Sequence, residues 1–143
     1  MILNIYTDGG SRNNSSEGNS AIGFLICTSE NKILYEKGQY IGKGTNNQAE
    51  YSAMIQALKM AKQYKGENIN CYSDSQLMIK QLLGDYRVKN PGLQKLFKEV
   101  KDIETAFKLV NYTHVRREHK MICLADELVN QALDNAVGKR KQR

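Results

Sequence analysis

Apolar and polar positions along the chain fall into blocks whose period changes several times. Ile2-Leu3-Asn4-Ile5-Tyr6-Thr7 is a short, β-rich apolar run, and Asp8-Gly9-Gly10 after it reads as a turn. A polar loop from Ser11 to Asn19 leads into Ala21-Ile22-Gly23-Phe24-Leu25-Ile26-Cys27, a buried strand. Lys32 to Ile41 reads as its antiparallel partner across Ser29-Glu30-Asn31, and Gly42-Lys43-Gly44 breaks the pattern. Over Thr45 to Tyr64 the period becomes helical, with Ala49, Ala53, Ala57, Leu58 and Ala61 recurring on one face and Gly66 as the stop. Ile69 to Ser73 is a short strand, and Ser75 to Leu83 a helix closed by Gly84. Asn90-Pro91 opens another helix, since proline suits the first helical position, with Leu93, Leu96, Phe97, Val100 and Ile103 as its buried stripe. Lys108 to Val115 is a strand and Leu124 to Val137 the last helix.

This order is three strands, helix, strand, two helices, strand, helix. The first three strands predict an antiparallel meander. Helical crossovers after them require parallel strands. The prediction is a mixed α/β domain with a five-stranded sheet and helices against its faces. A chain of 143 residues is one domain by size and long enough to bury a core without a disulfide or metal staple. We place that domain at residues 1–137, with 138–143 as a short basic tail.

The 21 Lys and Arg against 15 Asp and Glu leave a formal charge of +6, which favours polyanionic partners by steering and says nothing of fold. Lys139, Arg140, Lys141 and Arg143 contribute part of it and read as a solvated terminus. Cys27, Cys71 and Cys123 lack metal-ligand spacing and read as reduced core thiols of a cytoplasmic protein. No apolar run approaches the ~18 residues of a membrane span, and no signal peptide is expected.

Candidate chemistry enters with four acids. Asp8 follows the first strand, Glu50 lies in the first turns of the long helix, Asp74 follows the fourth strand, and Asp126 sits near the start of the last helix. Side chains leaving neighbouring central strands can converge. Converging carboxylates repel unless cations neutralise them, and oxygen ligands suit Mg²⁺ or Mn²⁺. Two such ions about 4 Å apart are a recurring device for phosphodiester cleavage. Each acid also has a purely structural reading. Asp8-Gly9 fits a hairpin turn, Asn47-x-x-Glu50 a capping box, Asp74 a helix N-cap in competition with Ser73 and Ser75, and Asp126 a complement to a helix dipole. Spacing alone does not decide between these readings.

The motifs around the acids resemble those of type 1 ribonuclease H. Ile5-Tyr6-Thr7-Asp8-Gly9-Gly10-Ser11 resembles the opening strand and turn of that family, and Thr45-Asn46-Asn47-Gln48-Ala49-Glu50 its TNNxxE helix start. Tyr72-Ser73-Asp74-Ser75-Gln76 resembles its third acidic motif. His114-Val115-Arg116-Arg117-Glu118-His119 leading to Ala125-Asp126-Glu127-Leu128-Val129-Asn130 resembles its closing one. The resemblance runs over about residues 2–136. It implies a ribonuclease H-like fold with strand order 3-2-1-4-5, and an endonuclease that cuts the RNA strand of RNA–DNA hybrids, leaving 5′-phosphate and 3′-hydroxyl ends. It implies that Asp8, Glu50, Asp74 and Asp126 bind two Mg²⁺ ions, with Mn²⁺ as a substitute, and that His119 assists proton transfer or product release, with Glu118 competing for that task. Gly9, Gly10, Asn46 and Gln76 would read the hybrid through its minor groove, where the 2′-hydroxyl marks RNA. Thr45 and Asn14 would serve a phosphate pocket. The rival reading on the same fold is a non-catalytic nucleic-acid-binding module.

Two features depart from the family pattern. Arg12-Asn13-Asn14-Ser15-Ser16-Glu17 lacks the Asn-Pro-Gly of many members, and the basic, Trp-bearing handle after the second helix is absent. Hybrid affinity then rests on scattered basic residues such as Lys43, Arg87, Lys89, Arg116 and Arg117. The expected working unit is a monomer.

Overall fold

The computed structural model describes residues 1–138; the basic run Lys139 to Arg143 lies outside the described residues. Five strands, β1 (Ile2–Arg12), β2 (Asn19–Thr28), β3 (Ile33–Lys43), β4 (Asn68–Ser73) and β5 (Leu109–His114), form one sheet in the order β3-β2-β1-β4-β5. The first three pair antiparallel, whereas β4 joins β1 and β5 joins β4 in parallel. Four helices accompany them: α1 (Asn46–Ala61), α2 (Gln76–Leu82), α3 (Pro91–Glu104) and α4 (Lys120–Val137). The expected fold class and strand order hold.

Helix α1 packs on one face of the sheet with α3 against it, and α4 lies over β1, β2 and β3 on the other. Alternation along the strands sends Leu3, Ile5, Ile22, Phe24 and Ile26 toward Tyr51, Met54 and Leu58 of α1. Tyr6, Leu25 and Cys27 point the opposite way, toward Met121 and Ile122 of α4. Strand β2 is therefore covered on both sides, which explains its unbroken apolar run.

Glycines set how closely the helices sit. A Cβ on Gly9 would lie 2.4 Å from the Ala49 carbonyl carbon, and one on Gly23 the same distance from the Ala125 carbonyl oxygen. A Cβ on Gly38 would lie 2.5 Å from the Leu128 oxygen. The backbones of α1 and α4 thus rest directly on the sheet, with no side chain between.

Several boundaries differ from the sequence expectations, among them the end of β3, which runs on through Gly42 and Lys43. Asp8-Gly9-Gly10 is not a turn: β1 continues through it, pairing Asp8 with Gly23, Gly9 with Ile22 and Gly10 with Ala21. The turn comes later, where Asn13 and Asn14 take positive φ values of 86° and 33°. Helix α1 stops at Ala61 and yields to a 3₁₀ turn, Lys62–Tyr64, closed by Lys65 in the left-handed conformation rather than by Gly66. Helix α4 begins at Lys120, four residues before the expected Leu124, because the His119 side chain supplies a cap. Cys27 and Cys71 are buried in strands, but Cys123 is exposed on α4.

Candidate active site

Each of the four purely structural readings of the acids fails on the backbone. Asp8 is inside a strand, so it makes no hairpin turn. The capping box at the start of α1 is formed by Thr45 and Gln48: the Thr45 hydroxyl accepts from the Gln48 N–H at 3.2 Å, and the Gln48 side chain accepts from the Thr45 N–H at 2.9 Å. That leaves Glu50 without a capping task. Ser75 caps α2, accepting from the Met78 N–H at 3.2 Å, so Asp74 does not. Asp126 lies beyond the first turn of α4, outside the reach of an N-terminal dipole.

The fold brings the acids together instead. Parallel pairing of Thr7 with Ser73 sets Asp8 and Asp74 side by side at the same end of the central strands. Gly9 lets the first turns of α1 down onto β1, so that Glu50 hangs beside Asp8. Gly23 does the same for α4 and Asp126. Oxygens of Asp8, Glu50 and Asp74 lie within 4.8 Å of one another. Asp126 stands outside that triplet but lines the same cleft, of about 400 Å³.

Electrostatics at the cluster are dominated by burial and like charge. Burial, then the Asp74 charge and the neighbouring Asp126 carboxyl, push the Asp8 carboxyl up to about 8. Burial and the charges of Asp8 and Asp74 hold Glu50 well above the usual carboxylate range. Burial raises Asp74 too, against the pull of Arg117. Glu50 Oε1 is buried with no hydrogen-bond partner. Buried like charges and an orphaned carboxylate oxygen are the arrangement that a divalent cation with hard oxygen ligands relieves. The donor set fits Mg²⁺ or Mn²⁺.

The expected substrate residues divide. Gly9, Gly10 and Asn46 line the cleft. The Ser11 N–H donates to Asn46 Oδ1 at 2.6 Å, and the Asn46 N–H donates to Asn14 Oδ1 at 2.9 Å. Asn14, Asn46 and the Thr45 cap thus meet at the head of α1. Gln76 is exposed at the start of α2 and does not line the cleft.

His119 stands at the start of α4. Its Nδ1 accepts from the Met121 N–H at 3.1 Å, and its ring stacks on Tyr6 at 5.4 Å, which also stacks on Tyr72 at 4.9 Å. It caps α4 and lines neither cavity at the carboxylates. Glu118, with Arg117 and Cys123, borders a side cavity of about 340 Å³ shared with Asp74 and Asp126. His119→Ala is expected to cost about 1 kcal/mol of stability, the usual value of a lost cap, while activity changes by no more than a few-fold. His119→Asn should recover most of that stability, because asparagine caps well. Thermal melts beside initial rates check this; a rate loss of a hundredfold or more without a change in melting would return His119 to the reaction.

Two residues at the site were not singled out for it from sequence. Arg117 lines both cavities. Asn130, one helical turn after Asp126, donates from Nδ2 to Asp126 Oδ2 at 3.2 Å. Its place four residues after a helical acid was the available signal.

Comparison with known proteins agrees with this geometry. Residues 7–132 match the family described as "Reverse transcriptase-like". Ribonuclease HI of Halobacterium salinarum is 38% identical over 134 residues, 94% of this chain and 65% of that protein. A bifunctional protein of Mycobacterium tuberculosis is 35% identical over 95% of this chain but only 36% of its own length, so the chain spans about two thirds or less of these relatives. Among solved structures, ribonuclease H1 from H. salinarum superposes with a TM-score of 0.88 at 37% identity, covering 95% of this chain and all of that one. LC11 ribonuclease H1, solved in complex with an RNA/DNA hybrid, gives 0.87 at 36% identity over 94% of this chain and 99% of its own. With likeness of this extent and a carboxylate cluster at the head of the central strands, the chain belongs to the type 1 ribonuclease H family.

Proposed function

We propose that this chain is a metal-dependent endoribonuclease that hydrolyses the RNA strand of RNA–DNA hybrids, leaving 5′-phosphate and 3′-hydroxyl ends. The observation that carries the reading is the triplet of carboxylate oxygens within 4.8 Å, all freed from capping and turn duties by their neighbours. A module that only bound nucleic acid would bear the repulsion of these buried acids with nothing to offset it.

Asp8, Glu50, Asp74 and Asp126 would hold two Mg²⁺ ions, or Mn²⁺ in their place. Bound there, such ions supply an activated water and charge stabilisation for the leaving oxygen. The chain's own residues do the rest. The backbone of Gly9 and Gly10 and the Asn46 amide face the cleft where a ribose would lie, and groups that donate and accept suit a 2′-hydroxyl. Thr45 and Asn14 sit together at the head of α1, where their polar side chains would serve a phosphate pocket. Glu118, open to solvent at the side cavity, is better placed than His119 to carry a proton or help product leave. All four acids come from one chain, which supports a monomeric working unit.

The test is a labelled RNA–DNA hybrid beside RNA and DNA duplexes, with Mg²⁺, Mn²⁺ or chelator. Metal-dependent cutting of RNA within the hybrid is expected, with end analysis showing 5′-phosphates. Hybrid binding with no cutting in either metal would leave the binding module as the better account.

A further inference from the structure

Three of the four acids are held by their surroundings. Asp8 is fixed within a strand paired on both sides, Glu50 is buried under α1, and Asp74 follows β4 at a turn where the Ser75 N–H donates to Ser73 Oγ at 3.0 Å. Asp126 is different. It projects from an exposed part of α4 and stands outside the close triplet.

Asn130 supplies a side-chain contact to that carboxylate. Its Nδ2 donates to the Asp126 backbone oxygen and to Asp126 Oδ2, both at 3.2 Å. The first bond ties the amide to its own helix and the second turns the carboxylate. Asn130 is half-buried and lines the cleft, so its donor already faces the site. Gly23 and Gly38 fix the height of α4 above the sheet but not the rotamer of a side chain on it.

We propose that Asn130 is a positioning residue that holds Asp126 in the orientation in which its free oxygen meets the metal, and so sets the metal concentration the site requires. This rests on the metal-dependent reading above. A bond from a neighbour that orients a ligand is commonly worth ten- to a hundredfold in metal affinity. Partial exposure places Asn130 at the lower end.

The test uses the full chain and two variants. Asn130→Leu keeps the shape and helix propensity but removes the donor. Asn130→Gln keeps a donor that reaches across one helical turn. Calorimetric titration with Mn²⁺ alone is expected to weaken by about tenfold in Asn130→Leu and to return to within about threefold of wild type in Asn130→Gln. The Mg²⁺ concentration for half-maximal hybrid cleavage should rise by a similar factor in the leucine variant, with the rate at saturating Mg²⁺ changed by no more than about twofold. Melts in chelator keep the variants comparable. Unchanged Mn²⁺ affinity in a folded Asn130→Leu protein overturns the proposal, as does equal loss in both variants. Wild type that binds Mn²⁺ with the expected Asn130 dependence but leaves hybrid intact would sink the ribonuclease reading and spare this one. Wild type that binds no Mn²⁺ would sink both.

Discussion

Asp8→Asn is expected to lower hybrid cleavage by about 10³-fold at saturating Mg²⁺ and, in chelator at pH 8, to raise the melting temperature. The first effect follows from losing a charged oxygen where several kcal/mol of transition-state charge is neutralised, at about 1.4 kcal/mol per tenfold in rate. The second follows from the site's repulsion. The unfolded carboxyl titrates near 4 and the folded one at about 8, so between those values the folded protein keeps a proton that the unfolded chain has lost. Stability is therefore fully present below pH 4 and falls as pH rises toward 8. Glu50 and Asp74, raised by the same burial and neighbouring charges, act with the same sign. An amide has no charge to bury. The variant's advantage should be near zero at pH 4–5 and grow to about 2–4 kcal/mol at pH 8, or roughly 5–10 °C for a chain of this size. Mg²⁺ should reverse the ranking, because it stabilises the form that holds it. Paired melts at pH 5 and 8, with chelator and with Mg²⁺, read all of this. A lower melting point for the variant in chelator at pH 8 would mean that the carboxylates do not repel as the geometry requires.

Gly9→Ala is the second large effect. The new methyl carbon would fall 2.4 Å from the Ala49 carbonyl carbon, 2.5 Å from its oxygen and 2.6 Å from the Glu50 nitrogen. These are backbone atoms and cannot rotate aside, so the head of α1 must lift from β1. A stability loss of about 2–4 kcal/mol is expected, in the range of overpacked cores. Glu50 rides on that turn, and a displacement near 1 Å at a reacting group costs about 10²-fold in rate. Gly10→Ala is the control, since its methyl group would meet nothing closer than Val129 Cγ1 at 3.7 Å. Its melting point should stay within about 2 °C of wild type. Equal destabilisation by both substitutions would show that contact with α1 does not govern this strand.

The same glycine explains where sequence reading succeeded and where it failed. Strand and helix types followed from the periodicity of side chains, because burial on one or two faces writes itself into that pattern. Asp8-Gly9-Gly10 carried the usual mark of a turn, yet Gly9 is there to admit another backbone, and nothing local distinguishes those uses. Thr45-x-x-Gln48 and Asn47-x-x-Glu50 both satisfy the capping pattern two residues apart, and only the docked helix shows that the first is the cap. The early start of α4 was hidden because a histidine caps it, in place of the usual serine, threonine or aspartate. The four acids were visible as residues with strand-end or helix-start positions. Their meeting depends on parallel pairing and on two close helix–sheet approaches, which are tertiary facts; family resemblance supplied that link.

Strand β1 is joined to α4 at both ends of the helix. At one, the His119 cap stacks on Tyr6; at the other, Arg12 pairs with Asp134 and donates to the Gly138 oxygen at 3.0 Å. From Tyr6 to Arg12 an extended strand measures about 20 Å, and from His119 to Asp134 a helix measures about 22 Å. The two spans match, and Asp8 and Asp126 fall between the same two fastenings. Strand and helix thus form the long sides of a closed frame, and a frame fastened at two points resists both sliding and hinging. The gap between these two acids is set by the dimensions of regular backbone, so local opening that separates them must first release one fastening.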